Sequence, residues 1–262
     1  MPLRRTITAP AALLAVGLLL AGCASATPAA SPAATDDAIE GTVTVFAAAS
    51  LNESFAVIKE AFEDANPGIE VVYNFGGSSG LAEQIVQGAP ADVFAAASPA
   101  TMTTVTDAEL ADAPIEFATN TLEIAVPVGN PGNVTGLADF ANDDLAIALC
   151  AVEVPCGAAA DKALTAAGIT AAPDTLEQDV KAVLTKVELG EADAGLVYVT
   201  DVAAAGDAVE GVEFAEAADA VTAYPIATLT EAPNSDAAAA FVAWVLSGAG
   251  QAVLAEAGFG AI

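Results

Sequence analysis

Residues 43–51 have the sequence Val-Thr-Val-Phe-Ala-Ala-Ala-Ser-Leu, in which an apolar strand runs directly into a serine-bearing helix start. The same junction recurs at 71–80, Val-Val-Tyr-Asn-Phe-Gly-Gly-Ser-Ser-Gly. At such junctions the free backbone N–H groups and the positive end of the helix dipole point outward. A hydroxyl beside these donors can hold an anion without any basic side chain. The two junctions therefore predict an α/β fold and a possible anion site.

Strand and helix signals alternate along the rest of the chain. Short apolar runs predict strands, and apolar residues at helical spacing predict the helices between them. This alternation is typical of α/β proteins with mostly parallel strands. The predicted strands are 43–47, 69–75, 92–97, 121–128, 145–150 and 195–200, with one more after Tyr224. The predicted helices are 51–62, 81–87, 99–107, 157–167, 180–187 and two at the C-terminal end.

The first forty residues are predicted to lie outside the folded body. Arg4 and Arg5 precede a short apolar run that ends in Leu-Ala-Gly-Cys, which predicts a lipoprotein signal peptide over 1–22. Cleavage would expose Cys23 for lipidation. Residues 23–40 are rich in Ala, Pro, Ser and Thr, a composition typical of a flexible tether. The sequence thus predicts an extracytoplasmic protein held to the cell membrane by its lipidated Cys23.

The charge and the cysteine content exclude several kinds of partner and site. The 262 residues carry a net charge of −29 and no histidine, and loss of the leader with its two arginines takes the charge to −31. So acidic a surface excludes nucleic acid and anionic lipid headgroups as partners. Cys150 and Cys156 are the cysteines left after Cys23, and outside the cytoplasm we expect them to form a disulfide. Two thiols without histidine make a poor metal site, so no metal centre is predicted.

Each serine also has a purely structural interpretation. Ser50 begins a Ser-x-x-Glu pattern, which is a helix-capping signature. Ser78 and Ser79 stand among Gly76, Gly77 and Gly80, where they could be ordinary turn residues. Neither junction by itself distinguishes a cap or turn from a binding site.

Several segments considered together favour a binding site over a cap or turn. They are 43–51, 75–81, 88–94, 154–157, 179–181 and 195–198. In this order and spacing they resemble the periplasmic molybdate-binding proteins of ABC importers, over the whole of 41–262. The resemblance implies a type II solute-binding protein fold, with two α/β lobes joined by two crossing strands that act as a hinge. The crossings would fall near 120–125 and 224–228, with one lobe at 41–122 and 225–262 and the other at 123–224.

The resemblance also implies the residues that contact the ligand. Hydroxyl and backbone N–H donors would come from two serines, backbone N–H groups from two helix starts, and a phenol from a tyrosine. In the second junction, Ser79 is the alternative to Ser78 as the hydroxyl donor. These expected ligand contacts are Ser50, Ser78, Cys156, Val180 and Tyr198.

The implied function is capture of molybdate, and of tungstate, for an ABC permease and its ATPase. The protein would be a monomer without a cofactor and would not be an enzyme. Sulfate or another tetrahedral oxyanion is the alternative ligand. A secreted serine hydrolase using Ser50 or Ser78 is a remote alternative, because the chain has no histidine base and no Ser-x-x-Lys pattern. A calcium-binding or adhesion domain is weaker still, since no Asp-x-Asp-x-Asp-Gly loop occurs.

Overall fold

Two five-stranded sheets carry the structure of residues 39–262, the part of the chain that the computed structural model describes. The predicted leader (1–22), the lipidation site Cys23 and nearly all of the predicted tether lie outside these residues.

The strands and helices alternate for most of the chain. The strands are β1 (Gly41–Ala48), β2 (Ile69–Gly76), β3 (Val93–Ala95), β4 (Ile115–Asn120), β5 (Leu122–Pro127), β6 (Ile147–Cys150), β7 (Thr175–Glu177), β8 (Ala194–Tyr198), β9 (Val209–Val212) and β10 (Thr222–Thr228). The helices are α1 (Asn52–Ala65), α2 (Ser78–Val86), α3 (Pro99–Asp107), α4 (Pro155–Ala167), α5 (Val180–Glu188), α6 (Val199–Ala205), α7 (Ser235–Leu246) and α8 (Gly248–Glu256).

Each sheet mixes parallel and antiparallel pairs. The first has the order β2-β1-β3-β10-β4, in which β1 is parallel to β2 and β3, and β10 is antiparallel to β3 and β4. The second has the order β7-β6-β8-β5-β9, with β6 parallel to β7 and β8, and β5 antiparallel to β8 and β9. The prediction of mostly parallel pairing is therefore wrong. The antiparallel pairs arise at β5 and β10, the strands through which the chain enters one sheet from the other.

Helices cover both faces of the first sheet. Successive side chains of β1 point to opposite faces, so Val45 joins the core under α1, α7 and α8, whereas Phe46 joins the core under α2 and α3. We call this sheet and its five helices the first lobe. The second lobe is the other sheet with α4, α5 and α6, which share a separate core around Phe140 and Leu196. Each lobe thus has a core of its own, and the α/β two-lobed prediction is confirmed.

The chain crosses between the sheets twice. Only Thr121 separates β4 of the first sheet from β5 of the second. The return lies between β9 and β10, and Thr222 already pairs with Asn120 in the first sheet. The second crossing therefore begins a few residues before the predicted Tyr224. Asn120 is buried at the first crossing, where its amide donates to the Thr200 hydroxyl at 2.9 Å.

The strands that the sequence did not predict are all at sheet edges. They are β4, β7 and β9, each of which has a single neighbouring strand in its sheet. Edge strands are short and carry polar or exposed residues, so their apolar pattern is weak. Several boundaries also differ. For example, α2 begins at Ser78, earlier than the predicted 81, and β8 ends at Tyr198 instead of 200, because α6 follows at once.

Among residues 39–262, no single helix has the length and apolar content to cross a membrane. Only α7 and α8 taken together, bent by 59° at their break, reach that threshold by length and composition.

Candidate functional site

The ends of several strands meet around one small cavity between the lobes. Ser50 follows β1 in a short 3-10 turn, and Ser78 opens α2 directly after β2. On the other side lie the starts of α4 and α5 and the end of β8. The cavity has a volume of about 20 Å³, and all five expected ligand contacts line it. These are Ser50, Ser78, Cys156, Val180 and Tyr198.

Ser78 is the serine of the second junction that faces the cavity. Its side chain is buried, and its Oγ accepts a hydrogen bond from the Ala97 N–H at 3.0 Å. Since that bond occupies a lone pair of the oxygen, the hydroxyl proton is available to a ligand. Ser79 instead donates its hydroxyl to the Glu153 carbonyl oxygen at 2.7 Å, across to the second lobe. The geometry thus places the Ser78 hydroxyl at the cavity, whereas the Ser79 hydroxyl links the two lobes.

Ser50 is held by a tyrosine from the returning strand. Its Oγ lies 2.8 Å from the hydroxyl of Tyr224, which is fully buried in β10. Either oxygen could be the donor. If the Tyr224 proton points to Ser50, the Ser50 proton is directed toward the cavity. The pair can therefore present a hydroxyl donor to a ligand from the first lobe.

Tyr198 brings a buried hydroxyl without a partner. The residue is 1% exposed, and its hydroxyl makes no hydrogen bond to any group in the part of the chain that the structure describes. A buried polar group normally has a partner, so an unpaired one beside a cavity calls for an explanation. Burial raises the pKa of Tyr198, which keeps the phenol protonated. It is thus available as a donor to a ligand in the cavity.

Backbone donors at helix starts complete the lining. Val180 is the first residue of α5, and Cys156 is the second of α4. Amides in the first turn of a helix have no partner within the helix, and the helix dipole favours negative charge there. None of the lining residues is basic. The cavity therefore offers hydroxyl and amide donors from both lobes instead of positively charged side chains.

A disulfide braces one wall of the cavity. It joins Cys150, the last residue of β6, to Cys156 in the first turn of α4. The covalent link fixes the start of α4 against its preceding strand. Within residues 39–262, no group of three or more His, Cys, Asp or Glu side chains is placed to hold a metal ion.

The lobes approach each other closely beside the cavity. Gly77 caps α2 in the first lobe, and a Cβ on it would overlap the backbone carbonyl oxygen of Gln178 in the second lobe. Only glycine permits this approach, because the obstacle is main chain that cannot rotate away. The structure thus has the two lobes closed over the cavity.

Comparison with known proteins agrees with this architecture. Residues 43–260 match the family model described as bacterial extracellular solute-binding protein. The chain belongs to this family. Its relatives bind solutes for transport outside the cytoplasm and are not enzymes.

Relatives of this solute-binding protein include proteins named for molybdate. It is 44% identical over 249 residues to the molybdate-binding protein ModA of Mycobacterium tuberculosis H37Rv, which covers 95% of this chain and 94% of that protein. It is 32% identical over 237 residues to ModA of Escherichia coli K12, with 85% and 89% covered.

Solved structures share the fold of this solute-binding protein. The periplasmic molybdate-binding protein of Azotobacter vinelandii matches with a TM-score of 0.71 at 20% identity, covering 83% of this chain and 98% of that one. The sulfate-binding protein SubI of Mycobacterium tuberculosis H37Rv matches with a TM-score of 0.72 at 17% identity, covering 85% of this chain and 88% of that one. At such low identities the similarity shows the fold only, and the identity of the ligand has to be argued from the residues of the site.

Tyr224 and Asp179 are functional residues that are absent from the predicted ligand contacts. The sequence places Tyr224 only next to a strand and at the second crossing, and nothing local indicates its bond to Ser50, 174 residues away. Asp179 lines the cavity as the N-cap of α5, and its Oδ1 accepts the Ala182 N–H at 2.9 Å. An Asp immediately before an amphipathic helix is a capping signal that could have found it.

Proposed function

We propose that this solute-binding protein captures molybdate outside the cytoplasm and delivers it to an ABC importer. The observation that carries the proposal is the size and lining of the cavity. Its volume of about 20 Å³ is far below the roughly 300–1,000 Å³ of sites for drug-sized ligands. A sugar, an amino acid or a peptide would not fit, whereas a single small ion would.

The lining favours a fully deprotonated oxyanion. Molybdate carries no proton at neutral pH, so every oxygen needs a donor and none needs an acceptor. Ser50, Ser78 and Tyr198 supply hydroxyls, and the starts of α4 and α5 supply amides. A protonated phosphate would in addition require an acceptor. The one carboxylate in the lining, Asp179, has an oxygen already engaged in capping its own helix.

The names of the relatives support molybdate among the tetrahedral oxyanions. Tungstate has nearly the same size and charge, so we propose that it binds as well. Sulfate is smaller, and its oxygens would sit farther from donors arranged for the larger ion. It remains the alternative ligand, to be separated by direct measurement.

Delivery requires partners that lie outside this chain. We propose that a permease and its ATPase receive the anion from a monomeric binding protein. Anchoring through lipidated Cys23 would keep that protein at the membrane surface, with residues 23–40 as its tether. The acidic composition of the chain, with 35 Asp and Glu against 6 Lys and Arg, argues against electrostatic attachment to anionic lipid.

A thermal-shift panel tests this function. A ligand at a hundredfold excess over its Kd stabilises the folded state by about 2.7 kcal/mol, which raises the Tm of a body of this size by roughly 5–11 °C. We expect molybdate and tungstate to produce this shift in the chain without its leader, and chloride to produce none. No shift with any oxyanion would contradict the proposal. A phosphate shift larger than that of molybdate would also contradict it and would point to Asp179 as an acceptor.

A further inference from the structure

A single lysine connects the two lobes next to the cavity. The Lys181 Nζ, on α5 of the second lobe, lies 2.9 Å from Glu53 Oε2, on α1 of the first lobe. The same Nζ lies 3.0 Å from Asp201 Oδ1, on α6 of the second lobe. One ammonium group thus pairs with a carboxylate from each lobe.

The two carboxylates differ in their surroundings. The side chain of Asp201 is fully buried, and its Oδ2 accepts the Tyr198 N–H at 3.0 Å. A buried carboxylate is stable only when paired and hydrogen-bonded, so Asp201 fixes Lys181 to the second lobe. The side chain of Glu53 is half exposed. Of the two ion pairs, the one to Glu53 is therefore the one that can break without leaving a charge buried.

Each member of the ion-pair cluster is close in sequence to a residue that lines the cavity. Lys181 follows Val180 directly, Asp201 holds the backbone of Tyr198, and Glu53 lies one turn after Ser50. Opening the lobes would separate Glu53 from Lys181 and leave the Lys181–Asp201 pair within the second lobe. Closure over the ligand and formation of the cross-lobe pair therefore belong to the same movement.

The surroundings of Glu53 place the ion pair at the edge of an open part of the interface. Glu53 lines a cleft of about 300 Å³ whose opposite wall includes Thr200 and Ala203 of the second lobe. On the α6 side the lobes face each other across this open space, whereas the start of α5 contacts residues 49–51 of the first lobe. The Glu53 carboxylate therefore lies at the edge of the packed contact, where solvent reaches it.

We propose that Lys181 is a positioning residue that latches the closed form through Glu53 and thereby slows release of the bound oxyanion. The inference rests on the proposed function for its ligand. The latch makes a prediction opposite to that of simple charge repulsion. Glu53 is a negative charge near an anion site, so its removal would by repulsion alone tighten binding. If it is a latch, its removal speeds release.

The test compares Glu53→Gln with Glu60→Gln. Both changes remove one negative charge from α1, but Glu60 is exposed and makes no ion pair in the described residues. Release of radiolabelled molybdate is followed by rapid filtration after a chase with unlabelled anion. An exposed ion pair contributes about 0.2–1 kcal/mol, so we expect Glu53→Gln to raise the dissociation rate constant about 1.5- to fivefold with little change in association. Glu60→Gln should behave as the unmodified protein.

Salt provides a second readout that a merely structural role would not move. Raising chloride from about 0.05 to about 1 M screens an exposed ion pair. The dissociation rate of the unmodified protein should rise toward that of Glu53→Gln, whose own rate should change less. Equal or slower release from Glu53→Gln would overturn the latch.

An anion-free measurement separates the latch from the proposed function. Spin labels on Val86→Cys and Leu189→Cys, exposed positions in the first and second lobes, report the distance between lobes by electron–electron double resonance. In the Glu53→Gln background we expect a smaller closed population than in the Glu60→Gln background. Identical distributions would overturn the latch. If molybdate bound to none of the variants, the proposed function would fail. The distances measured without anion would still show whether Glu53 stabilises the closed form.

Discussion

Replacing Gly77 with alanine is expected to weaken molybdate binding by up to about two orders of magnitude while leaving both lobes folded. The added Cβ would overlap the carbonyl oxygen of Gln178 in the opposite lobe, and this main-chain atom cannot rotate away. Gly77 itself has φ −60° and ψ 125°, a conformation that alanine adopts freely. Overpacking costs about 1–3 kcal/mol, which corresponds to roughly five- to 150-fold in Kd. We expect the upper end, measured by calorimetry.

Gly80→Ala is the matched control for this change. Gly80 lies three residues further on in α2, and nothing stands within 4 Å of the position that its Cβ would take. Alanine in a helix interior is more favourable than glycine by roughly 0.5–1 kcal/mol, so the control should fold and bind normally. If Gly77→Ala bound molybdate as tightly as Gly80→Ala, closure of these two loops would not be required for binding.

Removing either cavity hydroxyl of the first lobe is expected to weaken binding about ten- to 150-fold. A hydrogen bond to a charged group contributes about 1.5–3 kcal/mol, and each factor of ten in Kd corresponds to about 1.4 kcal/mol. Ser78→Ala loses the donor of α2, and Ser50→Ala loses the donor that pairs with Tyr224. Ser78→Ala should also lower the free energy of unfolding, because the buried Ala97 N–H loses its acceptor. Calorimetry and urea unfolding measure the two effects separately.

Ser79→Ala is the control for the serine variants. It removes one hydrogen bond to the Glu153 carbonyl and no group that lines the cavity. We therefore expect a smaller loss of affinity than for Ser78→Ala. The reverse ranking, with Ser79→Ala the more damaging change, would contradict the assignment of the site.

Much of the site could be predicted because it is built from local signals. Ser50 and Ser78 each follow a strongly apolar strand, and strands β1 and β2 are adjacent and parallel, so their ends meet. Val180 and Cys156 are at helix starts marked by Asp179 and Pro155. These signals locate strand ends and helix starts, whereas the assignment of these four residues and of Tyr198 to one ligand site depends on the resemblance to the family.

The features that sequence could not give are contacts between distant parts of the chain. The choice of Ser78 over Ser79 depends on which hydroxyl turns toward Ala97, and helix propensity does not determine that. The Tyr224–Ser50 bond and the Gly77–Gln178 approach join segments about a hundred residues or more apart. They depend on how the lobes close, and no periodic pattern encodes that geometry. The edge strands β4, β7 and β9 were missed for the different reason that their apolar patterns are short.

The proposed function requires one oxyanion to sit between the lobes, held there by uncharged donors from both of them. A molybdenum anomalous difference map from crystals grown with molybdate tests it most directly. We expect one strong peak in the cavity, with ligand oxygens within hydrogen-bond distance of the Ser50, Ser78 and Tyr198 hydroxyls and of the Val180 and Cys156 amides. A peak beside Lys181 or another lysine, or an empty cavity at saturating molybdate, would contradict it.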